Sequence, residues 1–191
     1  VEASVPADQD GLLRLASALG YLERSRTMEK PLPADPPDLP AGSTGRPMSD
    51  TEYGPWLAHG KDTYTQTWID RGVPADEARR KSERDHAALL PEGLGTPGMR
   101  IAVLEHEGER VGTLWVAQQD TAAFVYDVEV AADRRGAGHG RSLMLLAEAE
   151  ARAAGATRIG LNVFAGNTPA LRLYESLHYR ATAYHFHKQL Q

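Results

Sequence analysis

The sequence predicts an α/β fold built on a mixed sheet, and three observations carry that expectation. Residues 124–132, rich in β-branched and aromatic side chains, pass through the glycine-rich turn Asp133-Arg134-Arg135-Gly136-Ala137-Gly138-His139-Gly140-Arg141-Ser142 into helix formers beginning Leu143-Met144-Leu145-Leu146-Ala147. A second strand-to-helix passage follows over residues 157–164 and 168–177, with Asn167 between them. Upstream stand two consecutive helical segments and then three strands, giving the order β-αα-βββ-α-β-α-β(β).

Each element has a local cause. Residues 1–32 align without a gap on residues 159–190 at a constant offset of 158. Val5, Ala7, Leu13, Arg14, Leu15, Leu19, Tyr21, Lys30 and Leu32 fall on Val163, Ala165, Leu171, Arg172, Leu173, Leu177, Tyr179, Lys188 and Leu190, where chance supplies about two identities. A strand, a helix and a strand are therefore expected in the first 32 residues. Leu13, Leu15, Leu19 and Tyr21 are expected to dock on the rest of the chain or on a second copy, in tandem-domain packing or a homodimer. Residues 33–43 are a Pro-rich, extended linker.

The main unit spans residues 44–191. Residues 45–48 form a short strand, and Ser49 or Asp50 then caps a helix with Glu52 in its first turn. Tyr53, Trp56, Leu57, Tyr64 and Trp68 recur at helical spacing to about Arg71, and Gly72 stops the run. Pro74 opens a second helix that reaches Leu90 before Pro91. Strands 100–106 and 110–118 join through Glu107-Gly108-Glu109, a hairpin by its glycine, and Asp120-Thr121 turns the chain into strand 122–131. The helix over 141–154 ends at Gly155 as a C-cap. Strand 157–164, the short helix 168–177 and terminal strands from Tyr179 to Leu190 complete the order.

Composition narrows the function. At 191 residues the chain suffices for one domain with a full core, or a domain plus an appendage. A formal net charge of −5 argues against nucleic-acid binding, which needs a basic face. No apolar run approaches a membrane span and no leader is visible, so a soluble, cytoplasmic protein is expected. With no cysteine there is neither disulfide nor thiol nucleophile. His185 and His187 share a strand face, but with no third ligand in view no metal site is assigned.

The glycine-rich turn is the first place where chemistry enters. Glycines at 136, 138 and 140 let successive backbone N–H groups point the same way, and the helix beginning there adds partial positive charge, so the turn should hold a phosphate. A dinucleotide fingerprint would need Gly where Arg141 stands, and a P-loop would need a Lys that is absent. The pattern that fits is [QR]-x-x-G-x-[GA], with Arg135, Gly138 and Gly140. About thirty residues on comes Asn167, then Ala170, Leu173, Tyr174, Glu175, Leu177 and Tyr179 in the pattern A-x-x-L-Y-E-x-L-G-[FY], with His178 in place of Gly.

The two motifs together resemble the hallmarks of the GNAT superfamily of N-acetyltransferases. The resemblance implies the GNAT fold, a mixed central sheet with splayed parallel strands flanked by helices, over residues 44–191. Residues 1–32 then read as the tail of a second, degenerate copy, in which Gln9 stands at the position of Asn167 and Ala16 at that of Tyr174. It further implies acetyl-CoA as donor, with its pyrophosphate held by Arg135 and the backbone of Gly136, Ala137, Gly138, His139, Gly140 and Arg141. The pantetheine arm would bond the backbone of Val128 and Val130, with the Val130 N–H donating to the carbonyl oxygen.

By the same resemblance Tyr174 protonates the departing sulfur, although alone it reads as a helix aromatic packed into the core. Asn167 is either a cofactor-site amide or a helix cap. The His139 side chain is expected on the surface of the turn. Asp127 and Glu129 project from the strand face opposite Val128 and Val130 and are preferred over any other acid as general base, directly or through water, with solvent-facing charge as the plain alternative. The expected reaction is acetylation of a small primary amine. Glu52, Asp62, Asp70, Asp76 and Asp85, on the helices beside the pocket, suggest a cationic one. A protein N-terminus or lysine is the other enzymatic reading, and a non-catalytic acyl-CoA-binding regulatory domain is the reading outside catalysis.

Overall fold

The computed structural model describes residues 1–188. Eight strands form one sheet: β1 (Glu2–Pro6), β2 (Leu22–Pro31), β3 (Ser43–Pro47), β4 (Met99–His106), β5 (Glu109–Gln119), β6 (Ala122–Val130), β7 (Arg158–Phe164) and β8 (Arg180–His187). The helices are α1 (Asp10–Ala18), α2 (Asp50–Ile69), α3 (Ala75–Leu89), α4 (His139–Ala153) and α5 (Thr168–Ser176). Across the sheet the strands run β1-β8-β2-β7-β6-β5-β4-β3. The β6–β7 pair is parallel and the other neighbours are antiparallel, so the sheet is mixed.

The elements end where local chemistry ends them. Glu52 reaches back to the Ser49 N–H at 3.0 Å and caps α2. The β4–β5 hairpin turns on Glu107 and Gly108 at φ 53° and 80°, the left-handed pair that a two-residue turn demands. After α5, His178 takes φ 69° where Gly is the usual choice, at a cost of about 1–2 kcal/mol. The chain then forms one strand, β8, instead of several terminal strands, and Leu190 lies outside the described residues.

Two cores flank the sheet. The principal core gathers Leu114, Val116, Leu143, Met144, Ile159 and Leu161 beneath α4 and α5. On the opposite face Trp56, Ile101, Val103 and Trp115 pack under α2 and α3. Gly112 marks the closest approach: a Cβ there would stand 2.5 Å from the Glu129 carbonyl and 2.8 Å from Leu143.

The first 32 residues are woven into this sheet. β2 lies between β7 and β8, and its Met28 is buried in the principal core, a burial worth about 1.5–3 kcal/mol. The boundary drawn at residue 44 from the sequence therefore does not separate packing units. Under the 158-residue offset, β1–β8 pairs map onto β7–β2 pairs: Ala3↔Phe186 becomes Met28↔Leu161, and Val5↔Tyr184 becomes Arg26↔Val163. Arg26↔Tyr184, at the middle of the β2–β8 pair, maps onto itself. α1 and α5 coincide residue for residue under the same offset. Leu13 and Tyr21 pack beside Val5, Ala16 and Phe186. Leu15 and Leu19, expected to dock, are each 52% exposed, whereas the equivalent Leu173 and Leu177 pack into the principal core.

Candidate active site

Parallel pairing between β6 and β7 stops at Val125↔Leu161. The cause is visible one strand away. Trp115 lies opposite Asp127 while Val116 lies opposite Val125, so Tyr126 is an unpaired bulge residue, and a bulge bends and twists its strand. β6 thereafter stays with β5 while β7 stays with β2, and a gap opens between residues 126–130 and 162–164.

Backbone groups of β6 face that gap. The Ala131 N–H bonds the Val111 carbonyl at 2.9 Å, and antiparallel partners alternate between bonded and non-bonded pairs. Val130 opposite Gly112 and Val128 opposite Leu114 are thus non-bonded pairs, whose N–H and C=O groups point away from β5. Arg135 Nε approaches the Val130 carbonyl at 3.3 Å, which fits that direction.

At the mouth of the gap lies the glycine-rich turn. Gly136 and Gly138 take φ 82° and 87°, conformations that other residues adopt only with strain, and each has open space where a Cβ would stand. Among the described residues the N–H groups of residues 135–140 make no backbone hydrogen bond. They remain free at the N-terminus of α4 for an anion. The His139 side chain, expected on the surface, is buried and packs against His106 with ring centroids 5.1 Å apart. As the first residue of α4 it turns inward while its N–H stays at the turn. Arg141 donates to the Ser176 hydroxyl at 2.6 Å and so ties the turn to α5.

On the opposite face of β6 a cleft of about 1000 Å³ lies under α2 and α3. Asp127 and Glu129 line it, beside Trp56, Trp68, Trp115 and Tyr126. Burial, then the charge of Glu129, pushes the Asp127 carboxyl up to about 6. Glu129 pairs with His59 Nε2 at 2.9 Å. Nothing in the sequence singled out His59: it lies 70 residues away on α2, and only the fold brings the two together.

Tyr174 on α5 is partly buried against the principal core, 6.0 Å from the Tyr179 ring. Burial, then the charge of Asp127, raises its hydroxyl to about 12, so it is a proton donor at neutral pH. Asn167 does two things at once: its Oδ1 accepts from the Ala170 N–H at 3.3 Å and caps α5, and its side lines the cleft.

Of the five helix acids thought to border the acceptor, only Asp85 lines the cleft. It accepts from Tyr64 at 3.0 Å and Lys81 at 2.7 Å. Glu52 is turned away to Arg46 at 2.8 and 2.9 Å, Asp70 to Gln66, and Asp76 to Arg79. Arg24 and Ser25 of β2 also line the cleft, as does His185 of β8. His185 is held by Ser4 and Thr27, each at 2.8 Å.

A mixed sheet splayed between two parallel strands, with a glycine-rich turn and a helix N-terminus at the mouth of the splay, defines the GNAT acetyltransferase fold. The profile of the acetyltransferase (GNAT) family matches residues 60–179, and the chain belongs to that family. It is 30% identical over 143 residues to the uncharacterized N-acetyltransferase YycN of Bacillus subtilis strain 168, covering 71% of this chain and 91% of that protein. The crystal structure of YycN superposes with a TM-score of 0.73 at 28% identity, over 78% of this chain and 99% of YycN. Mycothiol acetyltransferase of Thermobispora bispora is 31% identical over 185 residues, covering 89% of this chain and 59% of that enzyme. The GNAT family uses acetyl-CoA as its acyl donor, and among the described residues no helix is long and apolar enough to cross a membrane.

Proposed function

We propose that the chain transfers the acetyl group of acetyl-CoA to a primary amine. One observation carries this reading: the gap beyond Val125↔Leu161 has unbonded β6 backbone on one side and opens to the half-buried acids Asp127 and Glu129 on the other, with Tyr174 nearby. The free amides of residues 135–140 suit a pyrophosphate, and the outward groups of Val128 and Val130 suit an amide-bearing arm. The thioester supplies the activated acetyl group.

The chain's own groups then divide the work. Asp127, raised to about 6 yet ionised at neutral pH, takes the proton of the amine, with Glu129 and His59 beside it. The freed nitrogen forms a C–N bond to the carbonyl carbon, and the Val130 N–H donates to the oxygen as charge develops. The C–S bond breaks as Tyr174 gives its proton to the sulfur, and the remaining extra proton of the acylated nitrogen restores the tyrosine hydroxyl. A cytoplasmic site of action accompanies this reading, because the donor is an intracellular thioester.

A thiol-release assay over a broad amine panel tests the proposal, with calorimetric titration of acetyl-CoA alongside. Turnover with one or more amines is the expected result. Tight acetyl-CoA binding without turnover on any amine would favour a regulatory acyl-CoA-binding domain instead.

We further propose that residues 1–32 are a degenerate copy of residues 159–190. The pseudo-twofold pairing about Arg26 and Tyr184 supports this beyond the nine identities, since convergent packing gives no reason for pair-by-pair equivalence.

A further inference from the structure

The bulge at Tyr126 also shapes the acceptor side of β6. With one extra residue in the strand, the side chains of Tyr126 and Asp127 fall on the same face, while Val125 and Val128 turn to the principal core. The Tyr126 ring lies 5.0 Å from that of Trp115, and Trp115 is the residue opposite Asp127. A broad aromatic face and the proposed base are therefore neighbours.

From Tyr126 the rings continue along the cleft without a break. Phe124 lies 5.3 Å from Tyr126 on one side; on the other, Trp115 is followed by His86 at 5.9 Å, Tyr64 at a further 5.7 Å and Trp68 at a further 6.0 Å. All six line the cleft. Trp115 and His86 are buried and lie deepest, Phe124, Tyr64 and Trp68 are half-buried, and Tyr126 is 37% exposed. Tyr126 is thus held between two rings while part of its own surface stays open beside Asp127.

The charges of the cleft allow one ammonium more easily than two. Of the carboxylates that line it, Asp85 is matched by Lys81 at 2.7 Å and Glu129 by His59 at 2.9 Å, which leaves Asp127 without an ion-pair partner among the described residues. A diamine would bring a second charge to the rings with no free carboxylate to meet it. A flat apolar body would cover the open ring surfaces, and aromatic pairs gain beyond the area they bury.

We propose that the acceptor is a monoamine carried on an aromatic ring, with its amine at Asp127 and its ring packed on Tyr126 and Phe124. The inference rests on the N-acetyltransferase reading above and names its substrate class, with Tyr126 as the residue that sets specificity.

The test measures kcat/KM for phenylethylamine, cyclohexylethylamine, propylamine and diaminobutane with wild type, Tyr126→Phe and Tyr126→Ala. The expected wild-type order is the order given, with phenylethylamine at least about tenfold above propylamine. Tyr126→Phe is expected to keep the ratio of phenylethylamine to propylamine, and Tyr126→Ala to lower it about fivefold, mainly by raising KM for phenylethylamine. Cyclohexylethylamine or diaminobutane equal to or above phenylethylamine, or an unchanged ratio in Tyr126→Ala, overturns the subsite and leaves the acetyltransferase reading standing. The wild-type order alone decides the matter if Tyr126→Ala does not fold. Should no amine turn over at all, calorimetric titration of phenylethylamine and propylamine reads the subsite by itself. Tighter binding of phenylethylamine that Tyr126→Ala weakens supports it, and equal affinities, or no binding of either, overturn it.

Discussion

Lys30 Nζ lies 2.9 and 2.8 Å from the two carboxylate oxygens of Glu148, joining β2 to α4 across 118 residues of sequence. Glu148 is wholly buried, and the Tyr179 hydroxyl adds a third bond at 3.2 Å. Removing a single partner leaves a buried charge uncompensated, which typically costs about 3–5 kcal/mol, whereas replacing both by apolar groups of similar volume is often neutral. Lys30→Met is expected to lower the melting temperature sharply, and Lys30→Met with Glu148→Leu to recover most of the loss. Equal stability of Lys30→Met and wild type in urea titrations would show the pair to be dispensable.

Deletion of residues 1–32 follows the same logic at larger scale. It removes β2 from between β7 and β8, taking Met28 out of the core as well as Lys30. The shortened chain is expected to lose its near-ultraviolet circular dichroism and to aggregate.

Asp127 ties pH to both activity and stability. Its folded-state pKa, about 6, stands above the ordinary 3.8, so the proton is held more tightly when folded. The associated stability is full below about pH 4 and lost as pH rises through 6. Asp127→Asn is therefore expected to gain on the order of 3 kcal/mol over wild type at pH 7 and nothing near pH 4. As the base, Asp127 must be ionised, so kcat/KM should rise through about pH 6, and the asparagine enzyme should lose that limb with about 10²–10⁴ of its rate. Melting curves and rate profiles across pH 4–8 check both. His59→Gln should weaken kcat/KM for the amine and leave acetyl-CoA binding unchanged.

The glycine turn is tested by charge. Gly138→Asp places a carboxylate where free amides face an anion, and φ 87° adds roughly 1 kcal/mol of strain. Acetyl-CoA affinity is expected to fall at least about a hundredfold, while Gly138→Asn, with similar strain and no charge, retains most of it. Equal affinities of the two variants would remove the turn from the donor site.

How much of this was legible in the sequence depends on the range of the interaction concerned. The glycine turn, the Asn167 cap and the alternation along β6 are local, set by residue types a few positions apart, and their elements could be placed to within about two residues. The offset between residues 1–32 and 159–190 was equally visible. Its consequence was not, because strand insertion is decided by which apolar edges meet in space. His59 beside Glu129, Arg71 over Phe164 and Lys30 against Glu148 join residues 70, 93 and 118 apart. No spacing rule announces such pairs. His139 misled for a related reason: its turn is exposed, yet the first residue of α4 aims its ring at His106 on β4.

Tyr174 separates an enzyme from a binder. A thiolate leaving into a poorly solvated gap is costly, so a phenol within reach should speed its departure by about 10²–10⁴-fold. Burial, with the charge of Asp127, raises its pKa to about 12, so between about pH 6 and 12 the phenol keeps its proton while Asp127 is ionised. The two groups thus hold opposite protonation states over a wide window, the acid above the base. Tyr174→Phe keeps the ring, its packing against the core and its contact with Tyr179, and removes only the hydroxyl. The expected result is a kcat lower by that factor with KM for acetyl-CoA nearly unchanged, the pattern of an interaction made mainly in the transition state. If the variant turns over its best amine at the wild-type rate, the proton comes from solvent and Tyr174 is a packing residue.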